Sequence, residues 1–263
     1  MSDAPLIAVD IGNSSTKIGW QFELTDSNEL PVAAVTRSFV TGQQPPDELR
    51  QVLPRERCRW HIASVHREGT RILQAWLQAN RSYDEIRLLT HHDLPIAARL
   101  EFPDRVGLDR LAAAVAANLL RSQRAPAIVV DAGSAITVDL VAADGAFEGG
   151  TILPGFRMSA EALSSADLLP VAQFSPDEIP PVIGKSTEGA IRSGLFWGAV
   201  GAVREIIERM SASLDQQPEI FVTGGDLRRL AEHLGDEASF VPNMVLSGIA
   251  AAARGSGSPP GKG

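Results

Sequence analysis

One short pattern occurs twice in this chain, and it constrains the fold more than any other feature. Residues 6–19 and 127–140 each contain an apolar run, an Asp-x-Gly step, small hydroxyl or amide residues and a second apolar run. The Val- and Ile-rich run before each aspartate is typical of a strand buried on both faces, and the glycine that follows favours a tight turn. We therefore expect two equivalent β-hairpins, with Asp10 and Asp131 at the ends of their first strands.

The separation of the two copies indicates two similar half-domains that face each other across a cleft, each contributing an acidic, glycine-lined turn. Strands and helices alternate in each half, so we expect an α/β fold. The expected domains are an N-terminal one over residues 1–115 and a C-terminal one over residues 116–254. Residues 255–263 are rich in Gly, Ser and Pro and are expected to form a flexible tail. Such a cleft suits a nucleoside triphosphate and its metal.

Hydrophobic periodicity and turn residues also predict where the other elements lie. Further strands are expected at residues 32–39, 59–65, 85–89 and 219–223. Helices are expected at residues 70–80, 107–124, 156 to about 165, 187–210, 227–234 and 244–254. The Pro-rich stretch over residues 169–181 is expected to be loop.

Composition excludes several classes of function. With 44% hydrophobic and 21% charged residues over 263 positions, the chain is typical of a folded globular protein. A net charge of −8 disfavours nonspecific binding to nucleic acid. The single cysteine, Cys58, rules out an intrachain disulfide, and we find neither an apolar signal segment nor an apolar span of about 18 residues. We therefore expect a cytoplasmic protein with no nucleic-acid or membrane partner.

The turn after Asp10 is the first candidate binding site. Its sequence, Asp10-Ile-Gly-Asn-Ser-Ser15, offers successive backbone N–H groups and the Asn and Ser side chains to an anion such as phosphate. An ordinary tight hairpin that uses Gly and Asn for positive φ explains the same residues. The recurrence of the pattern at Asp131 favours the phosphate site, and no P-loop or Rossmann glycine motif competes for that role.

The Gly107-Leu-Asp-Arg110 motif is the second candidate. It places the Asp109 carboxylate at the N-terminal end of a predicted helix, where the helix dipole favours the ionised form. A helix N-cap is the alternative interpretation, since Asp is a favoured capping residue. Arg110 suits either an anionic substrate group or a pair with a surface acid.

Glycine pairs elsewhere in the chain fit two interpretations. Gly149-Gly150 together with Pro154-Gly155 suits either a close backbone approach to a ligand or a strand end followed by a turn. Gly224-Gly225 suits either a plain turn or a platform for a flat ring such as adenine. His91-His92 lacks a spaced third ligand and the remaining histidines are scattered, so a zinc site is not expected. The Gly-x-Ser-x-Gly elbow of a hydrolase is also absent from the sequence.

Five motifs occur in an order that identifies a family. They are Asp10-x-Gly-Asn-Ser, Gly107-x-Asp-Arg110, Asp131-x-Gly-Ser-Ala-x-Thr-x-Asp139, Gly149-Gly-x-Ile-x-Pro-Gly155 and Thr187-x-x-Ala190-x-x-x-Gly194. The chain thereby resembles the type III pantothenate kinases of the acetate and sugar kinase, Hsp70 and actin superfamily. The resemblance implies two actin-like, ribonuclease H-like half-domains. It also implies ATP-dependent phosphorylation of pantothenate to 4′-phosphopantothenate, the first step of coenzyme A biosynthesis.

The resemblance further implies a homodimer, Mg²⁺ carried by the ATP, and a monovalent cation, K⁺ or NH₄⁺. It assigns roles to residues by motif match. Asp109 is the expected general base, and Asp131 is the expected ligand of the monovalent cation. Phosphate-binding residues are expected at Asp10, Gly12, Asn13, Ser14, Ser15, Lys17 and Ser134. Pantothenate contacts are expected at Leu100, Gly107, Leu108, Arg110 and Thr187.

Three positions depart from the family pattern. Ser14 and Ser134 stand where many members have Thr, and both keep the hydroxyl. Leu100 stands where many members carry a Tyr, which affects the expected pantothenate pocket, although Phe102 could fill the space. Two other functions fit the same fold: a transcription accessory or regulatory protein without kinase activity, and a kinase that acts on another small hydroxy acid.

Overall fold

The computed structural model describes residues 4–22, 29–165, 170, 178–225, 231–235 and 237–255. The chain forms two compact units. Unit 1 comprises residues 1–120 and the segment from Asn243 onward, and unit 2 comprises residues 121–242. Half of the predicted helix over 227–234, much of the predicted loop over 169–181 and the predicted tail beyond residue 255 lie outside the described residues.

Unit 1 contains a five-stranded mixed sheet. Its strands are β1 (Leu6–Ile11), β2 (Ser15–Phe22), β3 (Ala33–Val40), β4 (Arg59–Ser64) and β5 (Glu85–Leu88). Their spatial order is β3-β2-β1-β4-β5. β2 is antiparallel to both of its neighbours, β1 and β3, whereas β4 and β5 run parallel to β1. Every residue of β1 is buried, as its apolar run predicts for a central strand covered on both faces.

Helices cover the two faces of this sheet. They include α1 (Asp47–Val52), α2 (Arg67–Asn80) and α3 (Leu108–Leu120). Ile7, Val9 and Ile11 of β1 belong to the hydrophobic core that also contains residues of α1 and α2. Because successive side chains of a strand alternate, Asp10 lies on the opposite face of β1.

Unit 2 repeats the sheet of unit 1. Its strands are β6 (Ala127–Ala132), β7 (Ala135–Val141), β8 (Phe147–Pro154), β9 (Glu219–Thr223) and β10 (Ala238–Phe240), and its helices include α4 (Phe156–Ser164) and α5 (Thr187–Ala212). The order is β10-β9-β6-β7-β8, with an antiparallel β6–β7–β8 meander and with β9 and β10 parallel to β6. Each strand therefore has a counterpart in unit 1, which confirms the two similar half-domains expected from the repeated hairpin.

The closing helix, α6 (Met244–Gly255), belongs to unit 1. It packs so closely on α3 that a β-carbon on Gly248 would overlap the backbone of Ala112. Its Ala250 and Ala253 also form a buried cluster with Leu6 of β1. The expected domains grouped this helix with the C-terminal half, so the observed unit boundaries differ from them. The reason is that α3 and α6 can bury their small-residue faces only by packing against each other.

Most of the expected elements are present. Both hairpins, the β4–α2–β5 crossover and the helices α3, α5 and α6 lie where the sequence predicts them, within a few residues. The short elements α1 and β10 were not predicted, and the Gly149-Gly150 region is part of a full strand, β8. No helix in the described ranges has both the length and the apolar character needed to cross a membrane.

Candidate active site

The first hairpin turn, residues 12–15, joins β1 to β2. The Gly12 amide donates a hydrogen bond to the Ser15 carbonyl at 3.1 Å, which closes the turn. Asp10 is the last but one residue of β1, is only 9% exposed, and is paired in register with Lys17 of β2. Asn13 is exposed at the end of the turn. The predicted phosphate-binding residues of unit 1 therefore occupy one short loop and the strand ends beside it.

The second hairpin turn, residues 133–135, joins β6 to β7 in the same way. The Gly133 amide donates to the Ala135 carbonyl at 3.0 Å. Asp131 is half-buried near the end of β6 and is paired with Thr137 on β7 and with Thr223 on β9. In both turns the amide of the motif glycine donates the closing hydrogen bond, but the second turn is one residue shorter, because its bond spans two residues and that of the first turn spans three.

Two glycines at the ends of neighbouring strands pack closely here, one against the second turn and the other against the end of β6. A β-carbon on Gly155, just after β8, would lie 2.5 Å from the Ser134 carbonyl oxygen. A β-carbon on Gly224, just after β9, would overlap the Ala132 carbonyl oxygen, and Gly224 also has a φ of 114°. These glycines are therefore required for close backbone packing, so Gly224 is more than a plain turn residue.

The glycines inside the two turns do not adopt the left-handed backbone that the alternative interpretation requires. Neither Gly12 nor Gly133 has a positive φ, and neither does Asn13, so the interpretation of an ordinary hairpin that uses Gly and Asn for left-handed backbone is wrong. A β-carbon on Gly133 would meet nothing within 4 Å, which means that the protein itself does not require a glycine there. Open space above a backbone turn is what a bound phosphate needs.

Asp109 lies in the first turn of α3. The helix begins at Leu108, so Asp109 is inside the helix and is not its N-cap. Its Oδ1 accepts a hydrogen bond from the backbone N–H of Arg110 at 2.8 Å. Burial raises the pKa of the Asp109 carboxyl above its usual value, although the N–H and the charge of Arg110 act in the opposite direction.

Gly107 makes room for this carboxylate. A β-carbon at Gly107 would lie 3.4 Å from Asp109 Cγ and would overlap its Oδ1. The same β-carbon would be 3.6 Å from Cγ1 of Val65, so the start of α3 adjoins the end of β4. The glycine of the Gly-x-Asp-Arg motif is thus explained by the position of the aspartate side chain.

Val65 connects the first turn to the start of α3. Its backbone N–H donates to the Ile11 carbonyl at 3.0 Å, while its side chain approaches Gly107. β1 and β4 are parallel, so their C-terminal ends lie at the same edge of the sheet. The structure therefore brings the phosphate-binding candidates after Asp10 and the Asp109 carboxylate to one edge of unit 1.

The predicted pantothenate-contacting residues are divided between the units. Leu108 is buried at the start of α3, Arg110 is half-buried, and Leu100 is half-buried in the irregular segment that precedes α3. Phe102, suggested as a replacement for the missing Tyr, is 51% exposed and stacks under the Arg105 guanidinium. In unit 2, Thr187 is exposed at the first position of α5.

The surroundings of Asp131 suit a hard cation. Thr223, its partner on β9, is 2% exposed, and the Ala132 carbonyl lies close to Gly224 at the end of the same strand. These groups are a carboxylate, a hydroxyl and a carbonyl, and oxygen ligands of this kind bind alkali and alkaline-earth cations. Across the residues that the structure describes, no three His, Cys, Asp or Glu side chains are grouped as a metal centre would need.

Comparison with known proteins identifies the family. A family model described as type III pantothenate kinase matches residues 6–209. The chain belongs to the type III pantothenate kinase family. A relative of that name from Desulfosudis oleivorans is 32% identical over 259 residues, which cover 93% of this chain and 96% of the relative. Another, from Rhodopirellula baltica, is 37% identical over 199 residues, which cover 72% of this chain and 69% of the relative.

Other family relatives align over a shorter region. The type III pantothenate kinase of Phenylobacterium zucineum is 40% identical over 159 residues, and the aligned segment spans 60% of each chain. The family match confirms that this chain is a phosphotransferase of the pantothenate kinase type. It does not favour the regulatory alternative.

Solved structures agree with the fold. A structure described as a Baf family transcriptional activator from Campylobacter jejuni has a TM-score of 0.58 and 20% identity, with 95% of this chain and 98% of that chain covered. A 2-dehydro-3-deoxygalactonokinase protein from Sinorhizobium meliloti has a TM-score of 0.52 and 14% identity, with 97% and 100% covered. At these identities the likeness is one of fold alone.

Two residues near the site were not singled out from the sequence. Thr41 follows β3 and contacts the first turn, and Thr223 lies beside Asp131. Neither carries a motif of its own. The sequence signal for Thr223 is its position directly before Gly224-Gly225. The contact of Thr41 with the first turn can be inferred only when the order of the strands in the sheet is known.

Proposed function

We propose that this protein transfers the γ-phosphoryl group of ATP to the primary hydroxyl of pantothenate, giving 4′-phosphopantothenate and ADP, as the first step of coenzyme A biosynthesis. The observation that carries the proposal is the placement of Asp109. Its partly buried carboxylate lies at the same edge of the unit 1 sheet as the turn after Asp10, in a chain of the type III pantothenate kinase family.

The reaction requires one proton acceptor. The pantothenate hydroxyl oxygen forms a bond to the γ-phosphorus while the bond between that phosphorus and the oxygen of ADP breaks. The hydroxyl proton passes to the Asp109 carboxylate. Because the transition state of phosphoryl transfer is loose, the proton leaves late, and a carboxylate within hydrogen-bond reach is a sufficient base.

The environment of Asp109 fits this role. Burial raises its pKa, so the carboxylate holds a proton more readily than an exposed aspartate does. The Arg110 N–H, which donates to Oδ1, fixes the carboxylate in place. We assign Gly107, Leu108 and Arg110 to the pantothenate pocket, together with Leu100 and with Thr187 at the start of α5.

The phosphates require positive partners, and among the residues assigned to them Lys17 is the one that carries a positive charge. We assign nucleotide binding in unit 1 to the loop formed by Asp10, Gly12, Asn13, Ser14, Ser15 and Lys17, and in unit 2 to Ser134, with the Asp10 carboxylate facing the Mg²⁺ of the nucleotide because a phosphate would repel it. Mg²⁺ arrives with the nucleotide. A monovalent cation, K⁺ or NH₄⁺, held by Asp131 would neutralise the carboxylate that otherwise repels the triphosphate.

We further propose that the protein acts as a homodimer in the cytoplasm. Val182 and Ile183 are each 69% exposed, and Ile152 is 64% exposed. These are the most exposed large apolar side chains among the described residues, and all three belong to unit 2. We assign these side chains to the subunit interface, because a contiguous apolar patch marks such an interface and Val182 and Ile183 are adjacent in the chain. Sedimentation analysis of the purified protein measures its mass directly and tests this point.

A direct assay tests the function. Purified protein with ATP, Mg²⁺ and K⁺ is incubated with pantothenate, and the product is identified by mass spectrometry as 4′-phosphopantothenate. A panel of other small hydroxy acids run in parallel tests whether Leu100 changes the acceptor. Folded protein that makes no 4′-phosphopantothenate but phosphorylates another acid on the panel would refute pantothenate as the substrate.

A further inference from the structure

Each hairpin turn accepts a backbone hydrogen bond from the residue that follows the third strand of its meander, β3 in unit 1 and β8 in unit 2. In unit 1, the backbone N–H of Thr41, the residue after β3, donates to the Ser14 carbonyl at 3.1 Å. In unit 2, the backbone N–H of Gly155, the residue after β8, donates to the Ser134 carbonyl at 3.2 Å. Each contact joins equivalent positions, since β3 and β8 are the third strands of their meanders. The contact is therefore a feature of the repeated unit.

The two units hold the donor residue differently. Gly155 has no side chain and packs its backbone directly on the second turn. Thr41 instead uses its side chain: its hydroxyl forms a hydrogen bond of 3.0 Å with the hydroxyl of Thr16, which is 2% exposed at the start of β2. The Thr41 methyl group lies against the first turn of α2, where a β-carbon on Gly69 would be 2.8 Å from Cγ2. Thr41 is thus fixed on two sides.

The hydrogen bond to Ser14 determines which way one peptide group faces. In a trans peptide the carbonyl of one residue and the N–H of the next point in opposite directions. The described part of the chain contains no cis peptide bond. When the Ser14 carbonyl is directed at Thr41, the Ser15 N–H therefore faces away from β3. A free rotation of this peptide would change the set of N–H groups that the turn offers to a phosphate.

We propose that Thr41 is a positioning residue, which uses its hydroxyl bond to Thr16 to fix the Ser14–Ser15 peptide in the orientation that binds nucleotide phosphate. This inference rests on the proposed kinase function. Thr41 acts through the turn and has no assigned contact with substrate.

Isosteric variants test the inference. Thr41→Val removes the hydroxyl and keeps both the methyl contact and the backbone N–H, whereas Thr41→Ser keeps the hydroxyl. Thr36→Val is the matched control, because Thr36 lies on the same strand, β3, opposite Gly19 and away from the turn. Binding of the Mg²⁺ complex of the β,γ-imido analogue of ATP is measured by calorimetry without pantothenate, and steady-state kinetics are measured separately.

We expect Thr41→Val to weaken binding of the analogue and to raise the ATP KM by about tenfold, as loss of one well-placed hydrogen bond does. The pantothenate KM should change by less than about twofold. Thr41→Ser and Thr36→Val should bind the analogue as the wild type does. If Thr41→Val fails to fold, Thr16→Val removes the same hydroxyl pair from the other side and carries the same expectation.

Unchanged binding by Thr41→Val, or an equal loss in Thr36→Val, would overturn the inference. The binding measurement also separates it from the proposed function. A wild type that binds the analogue but does not phosphorylate pantothenate refutes the proposed acceptor, while the comparison of Thr41 variants remains decisive for the turn.

Discussion

Substitution of Gly107 by alanine is the sharpest test of the Asp109 assignment, because it moves the carboxylate without removing it. An added β-carbon would overlap Asp109 Oδ1, while the other close atoms, Asp109 Cγ at 3.4 Å and Val65 Cγ1 at 3.6 Å, are at ordinary contact distance. The strain therefore falls on one side-chain oxygen. Gly107 has no positive φ, so the backbone tolerates alanine.

The size of the effect follows from the displacement. To reach an ordinary contact distance, Oδ1 must move away from the new methyl group by about 1 Å. A misplacement of about 1 Å costs on the order of 10²-fold in rate for a group that must meet a reacting atom, which corresponds to about 2.7 kcal/mol of activation free energy. We expect Gly107→Ala to lower kcat by about this factor and to leave the ATP KM within about threefold of the wild type.

The assay is steady-state production of 4′-phosphopantothenate at saturating ATP and saturating pantothenate, which separates kcat from any change in the pantothenate KM, since Gly107 is also assigned to the pantothenate pocket. Thermal unfolding is recorded for each variant. Gly198→Ala is the matched control. It makes the same change in helix α5, where a β-carbon would meet nothing within 4 Å, and alanine is favoured over glycine in a helix interior by about 0.5–1 kcal/mol. A wild-type kcat for Gly107→Ala, with its fold intact, would show that the Asp109 carboxylate is not positioned for the reaction.

Three further predictions follow from individual carboxylates. Asp109→Asn should lower kcat by about 10² to 10⁴. Burial raises the pKa of Asp109 in the folded protein above its value in the unfolded chain. At pH values between these two pKa values the folded protein therefore binds more protons than the unfolded chain. The free energy of unfolding of the wild type consequently falls as the pH rises through that range. The Asn variant should lack this decrease in thermal scans at increasing pH, and a decrease of equal size would contradict the burial. Activity of the wild type should rise with K⁺ or NH₄⁺ much more than with Na⁺. Asp131→Asn should reduce that response and raise the ATP KM by about tenfold. Full wild-type activity in a buffer without K⁺ or NH₄⁺ would refute the cation site. Asp84→Ala should lower the free energy of unfolding in urea by about 3–5 kcal/mol, because it leaves the 5%-exposed Arg81 without its 2.7 Å ion-pair partner; a loss below about 1 kcal/mol would show that the pair is not effectively buried.

Strand ends and their motifs could be predicted because they depend on local sequence. The apolar run before Asp10 and its copy before Asp131 fix both the burial of the central strands and the position of the turns. The Gly-x-Asp-Arg motif likewise predicts a carboxylate at a helix start. These features require only neighbours within a few residues, which hydrophobic periodicity and turn chemistry describe well.

Features that depend on distant pairing could not be predicted. The contact of Thr41 with Ser14 arises because β3 lies beside β2, and nothing near Thr41 in the sequence signals it. The placement of α6 against α3 depends on the fit between Gly248 and Ala112, which are far apart in the chain. The choice between the two interpretations of Gly12 also needed the structure, because the sequence does not give the backbone φ that rules out the left-handed hairpin.

The division of unit 1 into two separate stretches has a consequence for how the protein is made. Residues 121–242 leave the ribosome as one continuous piece and can fold while synthesis proceeds, because domains generally fold as units. Unit 1 begins before unit 2, but the small-residue face of α3 is covered only after α6, which follows unit 2 in the chain, has been translated. The unit that contains Asp109 is therefore completed after unit 2, and a nascent chain stopped before Met244 would present that uncovered face to chaperones and proteases.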